Sequence, residues 1–133
     1  MNVVDPQHLF QQAVQFHRQG RLAEAEGLYQ QLIAGLPMSA EPRHFLGILR
    51  LQQGRFAEAL DLIGAAIRIN PKYAEAYGNL GAAYEAMGEL PSARQAYERG
   101  LQLSPNSAFL ASGLARVNAE KASLRHPQVG ASR

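Results

Sequence analysis

Apolar residues recur along the chain at the spacing of an amphipathic helix, and the clearest case lies in the last third of the sequence. Tyr77, Leu80 and Tyr84 fall three and four residues apart, which places them on one helical face. Gly88 follows and predicts a tight turn, because glycine takes a positive φ without strain. A second helix is predicted after that turn, and it ends before Pro105, since the residue preceding a proline is disfavoured in helical conformation.

This helix–turn–helix pattern occurs three times, with a period of 34 residues. The columns that repeat are turn glycines, buried alanines, terminal prolines and small helix residues: Gly20, Gly54 and Gly88; Ala25, Ala59 and Ala93; Pro37, Pro71 and Pro105; and Ala13, Gly47 and Gly81, the last column continuing to Ala115. Tandem copies of one structural unit explain this agreement. A helix of about fourteen residues is marginal alone in water. The copies are therefore expected to stack on one another.

The repeated residues resemble the tetratricopeptide repeat. Its pattern is met in the third copy by Tyr77, Leu80, Gly81, Tyr84, Gly88, Ala93, Tyr97 and Pro105. The second copy carries Arg43 and Arg50 where the family has aromatics, and the first carries Gln12 in place of leucine. The resemblance covers residues 6–107. It implies an all-α fold, a right-handed solenoid of three helix-turn-helix repeats. The helical spacing of Tyr84 and Tyr97 separately predicts that both rings lie in the core.

The domain organisation follows from the repeat register. It predicts an N-terminal extension (1–5), three repeats (6–39, 40–73 and 74–107), a capping helix (107–121) and a disordered tail (122–133). The capping helix has Leu110, Leu114 and Val117 on its apolar side, with Asn106 or Ser107 as its N-cap. A terminal helix of this kind covers the apolar face that the last repeat would otherwise expose.

Composition and charge exclude most chemical functions. The chain of 133 residues has no cysteine, and its four histidines show no ligand spacing, so we expect no metal, no cofactor and no enzymatic activity. Each histidine is interpreted as an exposed helix residue. The net charge of +2 arises in the tail, so the repeats lack the basic face of a nucleic-acid-binding protein. No secretory signal or membrane span is seen, and a soluble, cytoplasmic protein is expected.

The resemblance implies that the first helices of the repeats line a concave groove that binds a peptide or a partner protein. The residues predicted to form this groove are Phe10, Gln11, Val14, His44, Phe45, Ile48, Leu51 and Asn79. By the same register, Gln7, His17, Arg18, Glu41 and Gln52 also occupy inner positions. Phe45 and Ile48 allow two interpretations. They form an exposed contact surface, or they pack between adjacent first helices.

Two branches of the family suggest different ligands. Members that hold the acidic C-terminus of chaperones clamp its carboxylates with lysine, arginine and asparagine, but the corresponding residues here are Phe10, Val14, Phe45, Glu75 and Asn79, so that clamp is absent. Asn79 resembles one rung of the asparagine ladder of O-linked N-acetylglucosamine transferases. The resemblance thus predicts a non-enzymatic interaction module or adaptor. The alternatives are a substrate-recognition segment related to a larger glycosyltransferase-type enzyme and a scaffold that forms a homodimer through the apolar groove.

Overall fold

Seven α-helices make up the part of the chain that the computed structural model describes, which is residues 5–125, with side chains to residue 120. The helices are α1 (Pro6–Arg18), α2 (Leu22–Gly35), α3 (Ala40–Gln52), α4 (Phe56–Ile69), α5 (Ala74–Ala86), α6 (Leu90–Leu103) and α7 (Ala108–Arg125). No strand occurs within residues 5–125. The predicted all-α fold is confirmed. The helices α1, α3, α5 and α7 begin 34 residues apart, as the sequence period requires.

The turn within each helix pair is closed by a glycine in the left-handed region. Gly20, Gly54 and Gly88 have φ values of 77°, 74° and 79°. At the first of these turns the Arg21 N–H donates to the Phe16 carbonyl at 2.9 Å, which is the long hydrogen bond of a Schellman motif. An L-residue with a side chain would be strained at any of the three positions.

The chain is divided into two compact units, residues 1–71 and residues 72–133. The first unit contains α1 to α4, and its core includes Ala13, Ala25, Tyr29, Leu46 and Leu49. Close packing between α3 and α4 depends on Gly47, because a Cβ atom there would lie 2.5 Å from Cγ1 of Ile63. A small residue in this column thus allows the two helices of a pair to pack closely.

The second unit contains α5, α6 and α7, and its core is formed by Ala93, Tyr97, Leu110 and Val117. Tyr97 lies between two glycines: a Cβ atom on Gly81 would approach its ring to 2.8 Å, and one on Gly113 would come closer still. Tyr97 is fully buried, as predicted. Two helices thus approach the ring with their bare backbones.

Helix α7 begins at a predicted cap residue but extends beyond its predicted end. Ser107 Oγ accepts the Leu110 N–H at 3.2 Å and serves as the cap, but the helix continues to Arg125 instead of ending at residue 121. Ala115 is exposed, whereas Gly113 is buried. The small-residue column therefore does not continue to Ala115. Two residues correspond to about 200° of rotation around a helix, so Ala115 points away when Gly113 faces Tyr97.

Two further expectations concern the chain ends and its chemistry. The predicted disorder of the tail falls mostly on residues 126–133, which lie outside the described residues. Residues 122–125 belong to α7. Among the described residues, no helix is long and apolar enough to cross a membrane, and no group of three or more metal-ligating side chains is found.

Candidate functional site

The first helices of the first unit meet through an aromatic cluster. The rings of Phe10 on α1 and Phe45 on α3 are in edge contact, with centroids 5.1 Å apart and an interplanar angle of 87°. Both rings also approach Tyr29, at 6.4 and 6.2 Å. Edge contacts of this kind stabilise aromatic pairs beyond the area that they bury. Phe45 therefore packs between α1 and α3, which is the second of the two interpretations of this residue.

The Phe10–Phe45 pair stands between two open pockets in the first unit. The Glu41 pocket has a volume of about 320 Å³ and is lined by Pro6, Gln7, Phe10, Leu32, Leu36, Ser39, Glu41 and Pro42. The Arg18 pocket has a volume of about 330 Å³ and is lined by Val14, His17, Arg18, Phe45, Ile48 and Gln52. Each lies at the small end of the range for ligand pockets, about 300–1,000 Å³. We call the surface that carries both pockets the α1–α3 face.

The structure brings together four of the predicted site residues. Phe10, Val14, Phe45 and Ile48 are all half-buried and line one or the other pocket. They supply the apolar floor of the α1–α3 face. Part of each side chain stays accessible to a ligand, even though the two phenylalanines also contribute to the core.

The other four predicted residues lie elsewhere. Gln11 is exposed and Leu51 is half-buried, and neither lines the two pockets. Asn79 belongs to the second unit, where its side-chain amide donates to the Glu75 carbonyl at 3.3 Å. His44 is only 2% exposed, so its interpretation as a solvent-exposed residue is wrong. The buried imidazole contacts the Phe45 ring edge-on, with centroids 5.4 Å apart.

Burial also sets the protonation state of His44. Desolvation disfavours the charged imidazolium and lowers the pKa of His44 from 6.5 to about 4. The side chain is therefore neutral near pH 7. It is a core residue of α3, and the polar edge of the α1–α3 face comes from other groups.

That polar edge is formed by residues that the register placed at inner positions but that the predicted site omitted. His17 Nδ1 lies 2.9 Å from the Tyr29 hydroxyl, and Nε2 lies 2.7 Å from Gln52 Oε1. In the neutral ring, Nε2–H donates to Gln52 and Nδ1 accepts from the tyrosine. The imidazole thus links α1, α2 and α3 and forms a wall of the Arg18 pocket. It is a half-buried, hydrogen-bonded residue, where exposure was expected.

Arg50 of the second repeat, which stands where the family has an aromatic residue, forms an ion cluster. Arg50 is only 6% exposed, and its guanidinium lies 2.9 Å from a Glu26 oxygen and 3.3 Å from a Glu58 oxygen. The hydrogen bond from Arg50 lowers the pKa of Glu26. The ion cluster connects α3 with α2 and α4, so Arg50 has a structural role and is not available to a ligand.

The second unit has a comparable cluster around Glu85. Its carboxylate accepts hydrogen bonds from Arg116 at 2.8 and 3.0 Å and from the Tyr97 hydroxyl at 2.9 Å. Burial raises the pKa of Tyr97 to about 12, and the bond to Glu85 adds to this effect. These contacts connect α7 with α5 and α6. We call them the Glu85 cluster.

Two family models, both described as tetratricopeptide repeat, match residues 50–117 and residues 6–31. The chain belongs to the tetratricopeptide-repeat family. The match over residues 50–117 covers half of the chain and includes α4 to α6. The resemblance that the repeated columns suggested is thus confirmed by comparison with the family.

Individual relatives are longer proteins. The chain is 33% identical over 109 residues to the Hsp70-Hsp90 organizing protein of Triticum aestivum, which covers 82% of this chain and 18% of the relative. It is 36% identical over 67 residues to the protein O-mannosyl-transferase TMTC1 of Homo sapiens, covering 50% of this chain and 8% of the relative. The chain thus spans less than a fifth of either relative.

One solved structure resembles nearly the whole chain. It is the first tetratricopeptide-repeat domain of Spaghetti (RPAP3) bound to the HSP90 peptide SRMEEVD. The TM-score is 0.84 with 28% sequence identity, over 90% of this chain and 98% of that one. The match thus covers nearly all of that domain.

Proposed function

We propose that this protein is a non-enzymatic interaction module that binds a peptide segment of a partner protein on the α1–α3 face. Membership of the tetratricopeptide-repeat family and the likeness to a peptide-bound domain of that family support this function. The observation that carries it is the pair of pockets on either side of the Phe10–Phe45 contact. Accessible apolar surface grouped with aromatic side chains is typical of protein contact sites.

The α1–α3 face does not hold a C-terminal carboxylate in the way of the chaperone-binding members. Phe10, Val14 and Phe45 stand at positions where the chaperone-binding members have polar or basic clamp residues, and the two phenylalanine rings are in contact with each other. A carboxylate placed against this pair would lose its hydration without gaining a charged partner. We therefore expect amidation of the C-terminus of SRMEEVD to cause no loss of affinity for the full chain in a calorimetric titration. A loss of affinity on amidation would contradict the absence of a carboxylate clamp.

The function is tested by selecting peptides from a random library displayed on phage, with the full chain as bait. The expected result is a family of related sequences whose binding is lost in Ile48→Asp, because the carboxylate would enter the apolar floor of the Arg18 pocket. Gln31→Asp is the control, since Gln31 is exposed on α2 and lines neither pocket. Circular dichroism checks that both variants fold. Equal enrichment with wild type and Ile48→Asp would contradict the proposed site.

A second candidate function is a substrate-recognition segment of a larger glycosyltransferase-type enzyme. The likeness to TMTC1, a protein O-mannosyl-transferase, favours it, as does Asn79 at the position of an asparagine-ladder rung. Sequencing of the gene beyond both ends of this chain tests it. A reading frame that continues into a transferase domain would support this candidate, and flanking stop codons would exclude it.

Self-association through the α1–α3 face is the third candidate, because accessible Phe45 and Ile48 also suit a contact between two copies. Sedimentation over a wide concentration range tests it. A concentration-dependent dimer that Ile48→Asp abolishes would support it, and a monomer at all concentrations would exclude it. The cytoplasmic location expected from the sequence stays a prediction, which fractionation of cells expressing the natural gene can check.

A further inference from the structure

We infer that the peptide bound on the α1–α3 face carries an acidic side chain at one end, held by Arg18, and a basic side chain at the other, held by Glu41. This inference rests on the proposed function and adds the chemistry and orientation of its ligand. It differs from the carboxylate clamp of chaperone-binding relatives, because Arg18 and Glu41 occupy other positions in the repeat.

The first argument is the separation of charge between the two pockets. The Arg18 pocket is lined by one arginine and one histidine and by no carboxylate. The Glu41 pocket is lined by one carboxylate and by no cationic side chain. The apolar Phe10–Phe45 contact lies between them. A segment with opposite charges at its two ends and apolar residues between them is complementary to this surface.

The second argument is that both charges are available. Four of the other five arginines of the first unit are committed: Arg21 pairs with Glu24, Arg50 with Glu26 and Glu58, Arg55 with Glu58, and Arg43 donates to the Pro37 carbonyl. The fifth, Arg68, lines neither pocket. Arg18 and Glu41 are exposed, and neither forms a hydrogen bond or ion pair with any described residue. An incoming carboxylate would meet the planar guanidinium of Arg18 with both of its oxygens free to accept.

The third argument is length. Gln7 lines the Glu41 pocket and Arg18 closes the other, eleven residues further along α1, which corresponds to about 16 Å at 1.5 Å per residue. An extended peptide advances about 3.3 Å per residue. A segment of about five residues therefore spans both pockets, with its central residues over the Phe10–Phe45 pair.

Arg18 also has a simpler role that the experiment must separate from binding. It lies in the last turn of α1, where a positive charge stabilises the C-terminal end of the helix dipole. Arg68 likewise lies in the last turn of α4, is exposed, and lines neither pocket. Reversal of either charge replaces a favourable interaction with the helix dipole by an unfavourable one, but only reversal at Arg18 reaches the α1–α3 face.

The test is phage selection from a random library of about seven residues, long enough to span both pockets, with the full chain as wild type, Arg18→Glu, Glu41→Lys and Arg68→Glu. Wild type and Arg68→Glu are expected to select the same sequences, with Asp or Glu on one side of an apolar centre and Lys or Arg on the other. Arg18→Glu should select a basic residue in place of the acidic one. Glu41→Lys should select an acidic residue in place of the basic one.

The selected wild-type peptide is then synthesised with an amidated C-terminus, and its affinity is measured by calorimetry. We expect Arg18→Glu to weaken binding about tenfold or more, because attraction becomes repulsion. Retention of the wild-type consensus and affinity by Arg18→Glu, while Ile48→Asp abolishes binding, would overturn this inference and leave the proposed function standing. Failure of wild type to select any sequence, or selection unaffected by Ile48→Asp, would overturn both.

Discussion

The same tyrosine position is satisfied in two different ways in the two units. Tyr29 and Tyr97 occupy equivalent positions on α2 and α6, and both are fully buried. The Tyr29 hydroxyl bonds to His17, and the Tyr97 hydroxyl donates to Glu85. His17 and Glu85 are themselves equivalent, each twelve residues before its tyrosine. A buried hydroxyl needs a partner, and each unit supplies one at this position with different chemistry.

The middle repeat shows what happens without the hydroxyl. Ile63 stands at the tyrosine position and is fully buried, and the equivalent of His17 and Glu85 is Leu51, which is half-buried. The two positions are thus both polar or both apolar in all three repeats. The residues at these two positions together therefore indicate whether a repeat contains a buried hydrogen bond between its two helices.

The residue that bonds to the tyrosine hydroxyl, His17 or Glu85, makes a different second contact in each unit. His17 also hydrogen-bonds to Gln52 on α3, and it lines an open pocket. Glu85 also accepts two hydrogen bonds from Arg116, which connect α5 with α7. In addition, Phe109 of α7 packs on Gly78 of α5, where a Cβ atom would collide with its ring. Residues that border an open pocket in the first unit are thus matched in the second unit by residues that bind α7.

The largest expected effect is removal of α7. Truncation after Pro105 takes away Leu110, Val117 and Arg116, so Tyr97 becomes exposed and Glu85 loses its ion pair. We expect the second unit to lose cooperative unfolding and the protein to aggregate, as measured by thermal denaturation and light scattering. Deletion of residues 126–133 is the control, expected to leave the melting temperature nearly unchanged. Similar behaviour of the two truncations would contradict the role given to α7.

Phe45→Ala should show that the aromatic pair supports both the core and the site. The substitution removes the ring contacts to Phe10, Tyr29 and His44. A half-buried phenylalanine places the expected cost at about 3 kcal/mol of unfolding free energy, at the low end for Phe→Ala in a core. Urea denaturation measures it, with Phe109→Ala as a matched control on a more exposed ring. Unchanged stability would restore the interpretation of Phe45 as a pure contact residue.

The buried imidazole of His44 predicts a pH-dependent loss of stability. The folded pKa, about 4, lies below the ordinary value of 6.5, so between these values the unfolded chain binds a proton that the folded chain does not. Stability is therefore complete above about pH 7 and falls as the pH decreases. The expected loss between about pH 7 and about pH 5 is about 2 kcal/mol.

His44→Gln should remove most of this loss of stability between about pH 7 and about pH 5. His8→Gln, at an exposed position, should not. The acidic groups act in a different range. Hydrogen bonds from arginine lower the pKa values of Glu26 and Glu85 below 4.5, so their contribution is present above that value and is lost only in more acidic solution. A stability loss in wild type that begins only below about pH 4.5 would contradict the neutral state of buried His44.

The smallest expected effects test the tyrosine hydroxyls. Tyr29→Phe and Tyr97→Phe should each cost about 1 kcal/mol, and Tyr97→Phe should cost more because its acceptor is a charged carboxylate. Ile63→Val, which removes no hydroxyl, measures the packing contribution at the same position. A double-mutant cycle with His17→Ala and with Glu85→Ala isolates each pair. Coupling energies indistinguishable from zero would show that the two pairs are incidental.

The sequence by itself determined the helices, the turns between them and the number of repeats. These features depend on local signals: the spacing of apolar residues, the glycines at positions 20, 54 and 88 that need positive φ, and the prolines that follow the second helices. The register also identified the inner positions, including His17, Arg18 and Gln52. Local backbone preferences depend on residues within a few positions of each other, so the sequence alone is enough to predict them.

Only the tertiary structure decided which polar side chains are buried and what they contact. Arg50 stands where the family has an aromatic residue, and Glu26 and Glu58 from two other helices pair with it. His44 was expected in solvent and lies in the core, and Gly113 took the place that the repeat period assigned to Ala115. Each outcome depends on how closely neighbouring helices approach and on the angle at which they cross. That geometry arises from side chains far apart in the sequence, so the period of one helix pair does not contain it.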